Sequence, residues 1–150
     1  MVIKTNISAL TASRSDNIGN ALSFSQTQDG YLKKVAKALD RMGELAMLAQ
    51  DNTKSDVDRG LYNNEFTNLQ NFVSSSATRD FNGVSMFGGN SFQVTIDSDG
   101  AMFNYSAINL TTTTFTTVTG GTTDIATTSN AATALTRVKS AINALASERA

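Results

Sequence analysis

Hydrophobic residues recur every three or four positions along one long stretch of the chain, residues 29–50. The steps between them are 3, 4, 3, 4 and 3, and the residues are Leu32, Val35, Leu39, Met42, Ala46 and Ala49. This spacing is that of the a and d positions of a coiled coil, where one stripe of a helix packs on a partner helix. Charged residues lie off the stripe, so the remaining face of the helix can be exposed to water.

The same helix is predicted to begin near residue 3. Weaker apolar residues continue the stripe backwards, and the chain contains no proline that would interrupt a helix. We therefore predict one helix over residues 3–50, in which Gly19 and Gly30 each cost about 1 kcal/mol relative to alanine. A helix of this size is roughly 70 Å long. Since such a rod cannot be buried inside a compact globule of 150 residues, we expect an elongated molecule.

Two further segments repeat the helical spacing. Residues 56–77 follow Ser55, whose hydroxyl suits an N-cap, and residues 131–148 form the last predicted helix. The short polar break before residue 56 makes the first two helices antiparallel neighbours. The predicted core positions of the second and last helices are Phe66, Leu69, Val73, Leu135, Val138, Ile142 and Leu145.

Residues 80–130 follow a different pattern, which is typical of β-structure. Asn82-Gly83 is the strongest short hairpin signal, and residues 91–96 alternate apolar and polar side chains before a returning strand at 102–105. Residues 111–128 are rich in threonine and indicate either a loose hairpin turning at Gly120-Gly121 or a disordered loop. The predicted fold is therefore a single domain over residues 1–150, mainly α, an elongated antiparallel helical bundle capped by a small antiparallel β region.

Composition excludes several classes of function. The net charge is -1, so no basic surface exists to hold nucleic acid, and the chain has neither cysteine nor histidine. Without these residues, and with no spacing that pairs a nucleophile with a base, we expect neither an enzyme nor a cofactor or metal site. No apolar run reaches the roughly 18 residues that cross a bilayer, and the first residues lack the apolar run of a cleavable signal peptide.

One turn contains part of a calcium-binding pattern. Asp97-x-Asp99-Gly100 resembles the start of a calcium loop, but the closing glutamate and further oxygen ligands are missing. We therefore interpret this segment as a hairpin turn. The threonine-rich run could carry O-linked sugars, although a solvent-facing loop is the simpler interpretation.

Short motifs occur in a fixed order along residues 23–87. They are Gln26-Thr27 followed by Gly30, Leu39-x-Arg41-x-x-Glu44-Leu45-Ala46, Asp58-Arg59, Asn64-Glu65-Phe66 with Leu69, and Phe81-Asn82-Gly83. In this order they resemble the first half of the rod domain of bacterial flagellin, and residues 134–150 are similar to the returning helix of that domain. The two segments cover more than half of the chain.

The resemblance implies a structural subunit of the flagellar filament that serves motility and packs through its helical faces. It also implies an extracellular location, reached by export without a cleavable signal peptide. Because the terminal helices of a flagellin are missing from the pattern, we expect a rod-domain fragment that lacks them, which is monomeric and does not polymerise. A hook-associated junction protein and a surface module that binds a glycan remain alternatives.

One face of the first helix is a candidate interface. Arg41, Glu44, Leu45 and Leu48 lie off the core stripe, and Glu65 is the matching acid on the second helix. The simplest interpretation is a solvated face with an Arg–Glu pair three residues apart. Two exposed leucines one turn apart favour a contact surface instead. The resemblance implies that other flagellin subunits, and a host Toll-like receptor, bind this face.

Overall fold

The computed structural model describes residues 2–96 and 99–149. Within these residues it contains α1 (Val2–Gln50), α2 (Asp56–Ala77), β1 (Asp80–Phe81), β2 (Val84–Ser85), β3 (Phe92–Thr95), β4 (Met102–Tyr105), α3 (Thr113–Thr119) and α4 (Thr128–Glu148). The strands form two antiparallel pairs, β1 with β2 and β3 with β4. The expected fold class, mainly helical with a small antiparallel β region, is confirmed.

Helix α1 is the central element of the molecule. Its 49 residues correspond to roughly 73 Å, and both α2 and α4 pack against its second half. Side chains at positions 6–20 are exposed, whereas Phe24 and the stripe from Leu32 to Ala49 are buried. Because two helices cover α1, its buried face is wider than one coiled-coil stripe, and it also includes Ala38 and Leu45.

Helix α2 begins with a capping box and returns antiparallel to α1. The Ser55 side chain accepts a hydrogen bond from the Asp58 backbone, and the Asp58 carboxylate accepts one from the Ser55 backbone. Both bonds satisfy backbone donors that a helix start leaves free. Phe66 and Val73 are fully buried, and Leu69 is half-buried against the same core.

Helix α4 packs on α1 through small side chains. Its buried stripe consists of Ala131, Ala134, Val138, Ala141 and Leu145. The heptad spacing predicts Leu135 and Ile142 in this stripe, but both lie half-buried at its edge. Adjacent residues of a helix are rotated by about 100°, so when Ala134 and Ala141 face α1, Leu135 and Ile142 lie at the edge of the contact. Val138, in the middle of the stripe, faces Gly43 of α1, where an added methyl group would lie 3.7 Å away, at ordinary contact distance.

The β region attaches to α1 through aromatic side chains. The β1–β2 turn has positive φ angles at Asn82 (50°) and Gly83 (79°), as a two-residue hairpin turn of type I′ requires. The prediction from Asn-Gly is therefore confirmed. Phe24 of α1 makes edge contacts with Phe81, Phe92 and Tyr105. These contacts bring both strand pairs onto one face of α1.

The threonine-rich run contains a helix, and the expectation of a loose hairpin or disordered loop is wrong. Helix α3 buries Phe115 and Val118, which lie three residues apart on one face. Gln70 of α2 donates hydrogen bonds to the carbonyl oxygens of Val118 and Thr123, each at 2.8 Å. Helical order in this run therefore depends on packing and on a side chain far away in sequence, which outweigh the preference of threonine for extended chain.

Candidate functional site

An ion cluster of one guanidinium and two carboxylates joins α1 to α2 at the surface. Arg41 donates from Nε and Nη2 to the two carboxylate oxygens of Glu65, at 2.7 and 3.1 Å. Its Nη1 donates to Glu44 Oε2 at 3.0 Å, one turn along α1. All three side chains are about half exposed. The structure thus brings together the three charged residues of the candidate interface.

The cluster shifts the titration of its members. Hydrogen bonds from Arg41 hold the pKa of Glu65 below its ordinary value, and the positive charge of the guanidinium adds to this effect. In turn, the hydrogen bonds to Glu65 and then to Glu44 raise the pKa of Arg41. The ionised state of Glu65 is therefore favoured in the folded protein.

We expect the contribution of Glu65 to stability to depend on pH. Because the pKa of Glu65 is lower in the folded state than its unfolded value near 4.5, the contribution is present above that value and is lost as the pH falls through the folded pKa. Urea unfolding of the wild type and Glu65→Gln should therefore differ at pH 7 and coincide near pH 2. An equal difference at both pH values would contradict this assignment.

The two leucines of the candidate interface have different environments. Leu45 is fully buried, so the expectation that it lies exposed is wrong. It faces the core because α2 and α4 together cover more of α1 than a single stripe. Leu48 remains on the surface, with 39% of its area exposed. Met47, Val57 and Leu61 are exposed near the same end of the helical hairpin.

Arg59 has a structural role that the sequence analysis missed. Its buried guanidinium donates to the carbonyl oxygens of Ala49 and Asp51 and to the Asp56 carboxylate, each at 3.0 Å. The last carbonyl groups of a helix have no partner within the helix, and Arg59 supplies one to α1 from α2. The signal was a cation in the first turn of a helix, where the helix dipole disfavours positive charge.

The first half of α1 carries a second exposed surface. Four apolar side chains at helical spacing lie on it with 44–58% of their area exposed, and these are Ile7, Leu10, Ile18 and Leu22. No other described helix runs beside positions 6–20, whose side chains are all exposed. Ile18 and Leu22 border an open groove whose other wall is the β3–β4 hairpin, and among the described residues no other helix covers this apolar face.

Within residues 2–96 and 99–149, no group of three or more acidic side chains is placed to hold a metal ion. The segment compared with a calcium loop lies partly outside the described residues, because they exclude Asp97 and Ser98. None of the described helices is both long and apolar enough to cross a membrane.

Comparison with known proteins gives one consistent result. A family profile described as the bacterial flagellin N-terminal helical region matches residues 3–91. Flagellin 1 of Proteus mirabilis is 30% identical over 112 residues, which cover 70% of this chain and 30% of that protein. The flagellar filament 41 kDa core protein of Borreliella burgdorferi is 40% identical over 60 residues, covering 40% of this chain and 18% of that protein.

A solved structure agrees with these relatives at the level of the fold. The crystal structure of Bacillus cereus flagellin superposes with a TM-score of 0.76 at 24% identity, over 91% of this chain and 79% of that one. The chain spans at most about a third of the length of the two curated relatives. The family profile alone covers more than half of the chain, and it confirms the resemblance found in the sequence motifs. This chain belongs to the bacterial flagellin family.

Proposed function

We propose that this chain is the rod-domain part of a structural subunit of the bacterial flagellar filament, located outside the cell and serving motility. Family membership supports the proposal. The observation that carries it is the apolar surface of α1 formed by Ile7, Leu10, Ile18 and Leu22. A long row of exposed apolar side chains on one helix is typical of a surface that another helix covers. In a filament, packed subunits supply that cover.

The face between α1 and α2 is proposed as a second contact between subunits. It consists of Leu48 together with the exposed ion cluster of Arg41, Glu44 and Glu65. The bidentate bond from Arg41 to Glu65 joins the two helices across this face. Leu45 does not belong to the surface, and it supports the face from the core below it. A face that combines an exposed apolar residue with neighbouring charged side chains has features of a protein interface.

We expect Leu48→Glu, introduced into the full-length subunit in its native bacterium, to shorten filaments and reduce swimming. A carboxylate desolvated at a subunit contact without a partner costs roughly 2 kcal/mol or more. Filament length is measured by electron microscopy, and swimming is measured by spreading in soft agar. The matched control is Asn143→Glu, since Asn143 is exposed on α4, outside the proposed face.

Equal filament lengths for Leu48→Glu and the wild type would remove this face from the proposal. Circular dichroism of the purified variant, compared with wild type, separates a contact effect from misfolding. Because the chain spans 30% of Flagellin 1 and 18% of the 41 kDa core protein, we also propose that the purified chain alone forms no filaments. Filaments of the purified chain under the electron microscope would contradict that part.

Recognition by a host Toll-like receptor is a second candidate for the same face. The observation in its favour is that Arg41, Glu44 and Glu65 are held in one arrangement and remain accessible to a partner. A receptor affinity that is unchanged in Arg41→Ala would remove this candidate. It would leave the filament proposal untouched, since filament length is measured independently.

A further inference from the structure

The β3–β4 hairpin has one edge that is capped and one that is open. Ile96 N donates to Ala101 O at 2.9 Å, so these two residues form a hydrogen-bonded pair. Two and four residues further from the turn, Val94 with Phe103 and Phe92 with Tyr105 are pairs of the same type. Hydrogen-bonded and non-hydrogen-bonded pairs alternate along an antiparallel ladder. It follows that the residues between these pairs direct their backbone N–H and C=O groups away from the hairpin, at positions 93 and 95 on β3 and at 102 and 104 on β4.

The outer edge of β3 is capped by α1. Thr95 O, one of the outward-directed carbonyl oxygens of β3, accepts a hydrogen bond from the Asn17 side-chain amide at 3.4 Å. The outer edge of β4 has no such cap. Within the described part of the chain, no hydrogen bond from another element reaches the backbone of Met102 or Asn104.

The open edge lacks the features that protect sheet edges in soluble proteins. Such edges usually carry a charged side chain, a proline or a bulge. Residues 101–106, Ala-Met-Phe-Asn-Tyr-Ser, contain no charge and no proline, and the pairing with β3 is continuous. Met102 and Phe103 are also 53% and 54% exposed. These are the properties of a strand that can add another strand.

We propose that β4 is a self-association site, which pairs antiparallel with β4 of a second copy of this chain. The register that uses the outward backbone groups puts Met102 opposite Asn104 of the partner subunit, and Asn104 opposite the partner subunit's Met102. Each of these pairs exchanges two hydrogen bonds. Phe103 then lies opposite its own copy in a non-hydrogen-bonded pair, where side chains approach most closely and aromatic pairs are favourable.

The composition of β4 favours a second copy of this chain as the strand that pairs with its open edge. A neutral strand can lie beside its own copy without repulsion, whereas like charges directly opposite one another would disfavour this. Because Asn17 caps the other edge of the hairpin, pairing stops at two chains and gives a closed, symmetric dimer rather than a fibre.

The dimer is weak, because the contact is confined to one short strand and its neighbouring side chains. An interface below about 1,200 Å² is typical of transient association, and we expect a dissociation constant on the order of 10⁻⁴ M. The chain is then monomeric at micromolar concentration and dimeric near millimolar concentration. This association does not depend on the proposed filament function, which concerns the surfaces of α1 and α2.

Disulfide trapping tests the register directly, since the wild-type chain contains no cysteine. We expect Phe103→Cys to oxidise to a covalent dimer on the order of tenfold faster than Met102→Cys or Met47→Cys, because only position 103 lies opposite itself. Met47 is a matched control on α1, with 55% exposure against 53% for Met102. Equal rates for the three variants would overturn the proposal. Circular dichroism of each variant checks that it folds.

Sedimentation equilibrium of reduced, unlabelled protein gives an independent measurement. The wild type and Met47→Lys should show a mass that rises from monomer to dimer between 10 µM and 1 mM, around the dissociation constant of about 10⁻⁴ M. Met102→Lys should remain monomeric throughout, since a lysine on an edge strand opposes pairing. A wild-type chain that stays monomeric at 1 mM, or a Met102→Lys variant that dimerises like Met47→Lys, would overturn the proposal.

Discussion

Replacing Phe66 with alanine should lower the free energy of unfolding by about 3–5 kcal/mol, the usual cost of deleting a buried phenyl ring. Phe66 is fully buried on α2 and belongs to the apolar core. The loss comprises the transfer of the ring out of water and the cavity left behind. Since a protein of this size has only about 5–15 kcal/mol of stability in total, the variant should unfold at a much lower urea concentration.

The same helix offers a matched control. Phe72 lies on α2 as well, but 37% of its area is exposed. We expect Phe72→Ala to cost about 1 kcal/mol, because part of the ring is already in water. Urea titrations followed by circular dichroism give both values. Equal losses in unfolding free energy for the two variants would contradict the burial of Phe66 in the core and the partial exposure of Phe72.

Replacing Gln70 with methionine should release α3 from the bundle. The Gln70 amide nitrogen donates to the carbonyl oxygens of Val118 and Thr123 at 2.8 Å and lies 3.5 Å from that of Gly120. Methionine has a similar shape but cannot donate, so these carbonyl groups lose their partner while no large cavity forms. Leaving buried acceptors unsatisfied should cost about 2–4 kcal/mol.

Hydrogen exchange distinguishes this local effect from global destabilisation. The backbone amides of residues 113–125 should exchange faster in Gln70→Met, whereas those in the second half of α1 should change less. Gln26→Met is the control, since Gln26 is an exposed glutamine on α1, and it should leave both regions unchanged. Unaltered exchange of α3 in Gln70→Met would show that apolar packing of Phe115 and Val118 suffices to hold it.

Three helices and the β1–β2 turn could be predicted from sequence because their signals are local. The stripe from Leu32 to Ala49 and the capping sequence at Ser55 are periodicities and short motifs that act within a few residues. The Asn82-Gly83 turn likewise follows from backbone angles that these two residues adopt at little cost. The pairing of Arg41 with Glu44 also follows from their spacing on one helix.

The features that could not be predicted depend on contacts between distant segments. Helix α3 depends on Gln70, about fifty residues earlier, and a run of threonines gives no sign of that partner. Leu45 is buried because two helices cover α1, whereas the periodicity of one helix describes a single stripe. The bond from Arg41 to Glu65 requires the register of α2 along α1, which neither segment specifies by itself.

The alanine stripe of α4 has a consequence for how the rod responds to force along its axis. Ala131, Ala134 and Ala141 project little from the helix, so within this buried stripe only Val138 and Leu145 interlock with α1 against lengthwise sliding. Polar contacts also hold each end of α4 on α1. Gln50 donates a hydrogen bond to Ala131 O at 3.4 Å at one end, and Arg149 donates one to the Asp29 carboxylate at 3.1 Å at the other. Tension or compression along the axis would therefore also load these two polar contacts, which lie at opposite ends of the helix pair. These two contacts help to hold the lengthwise register of α4 on α1.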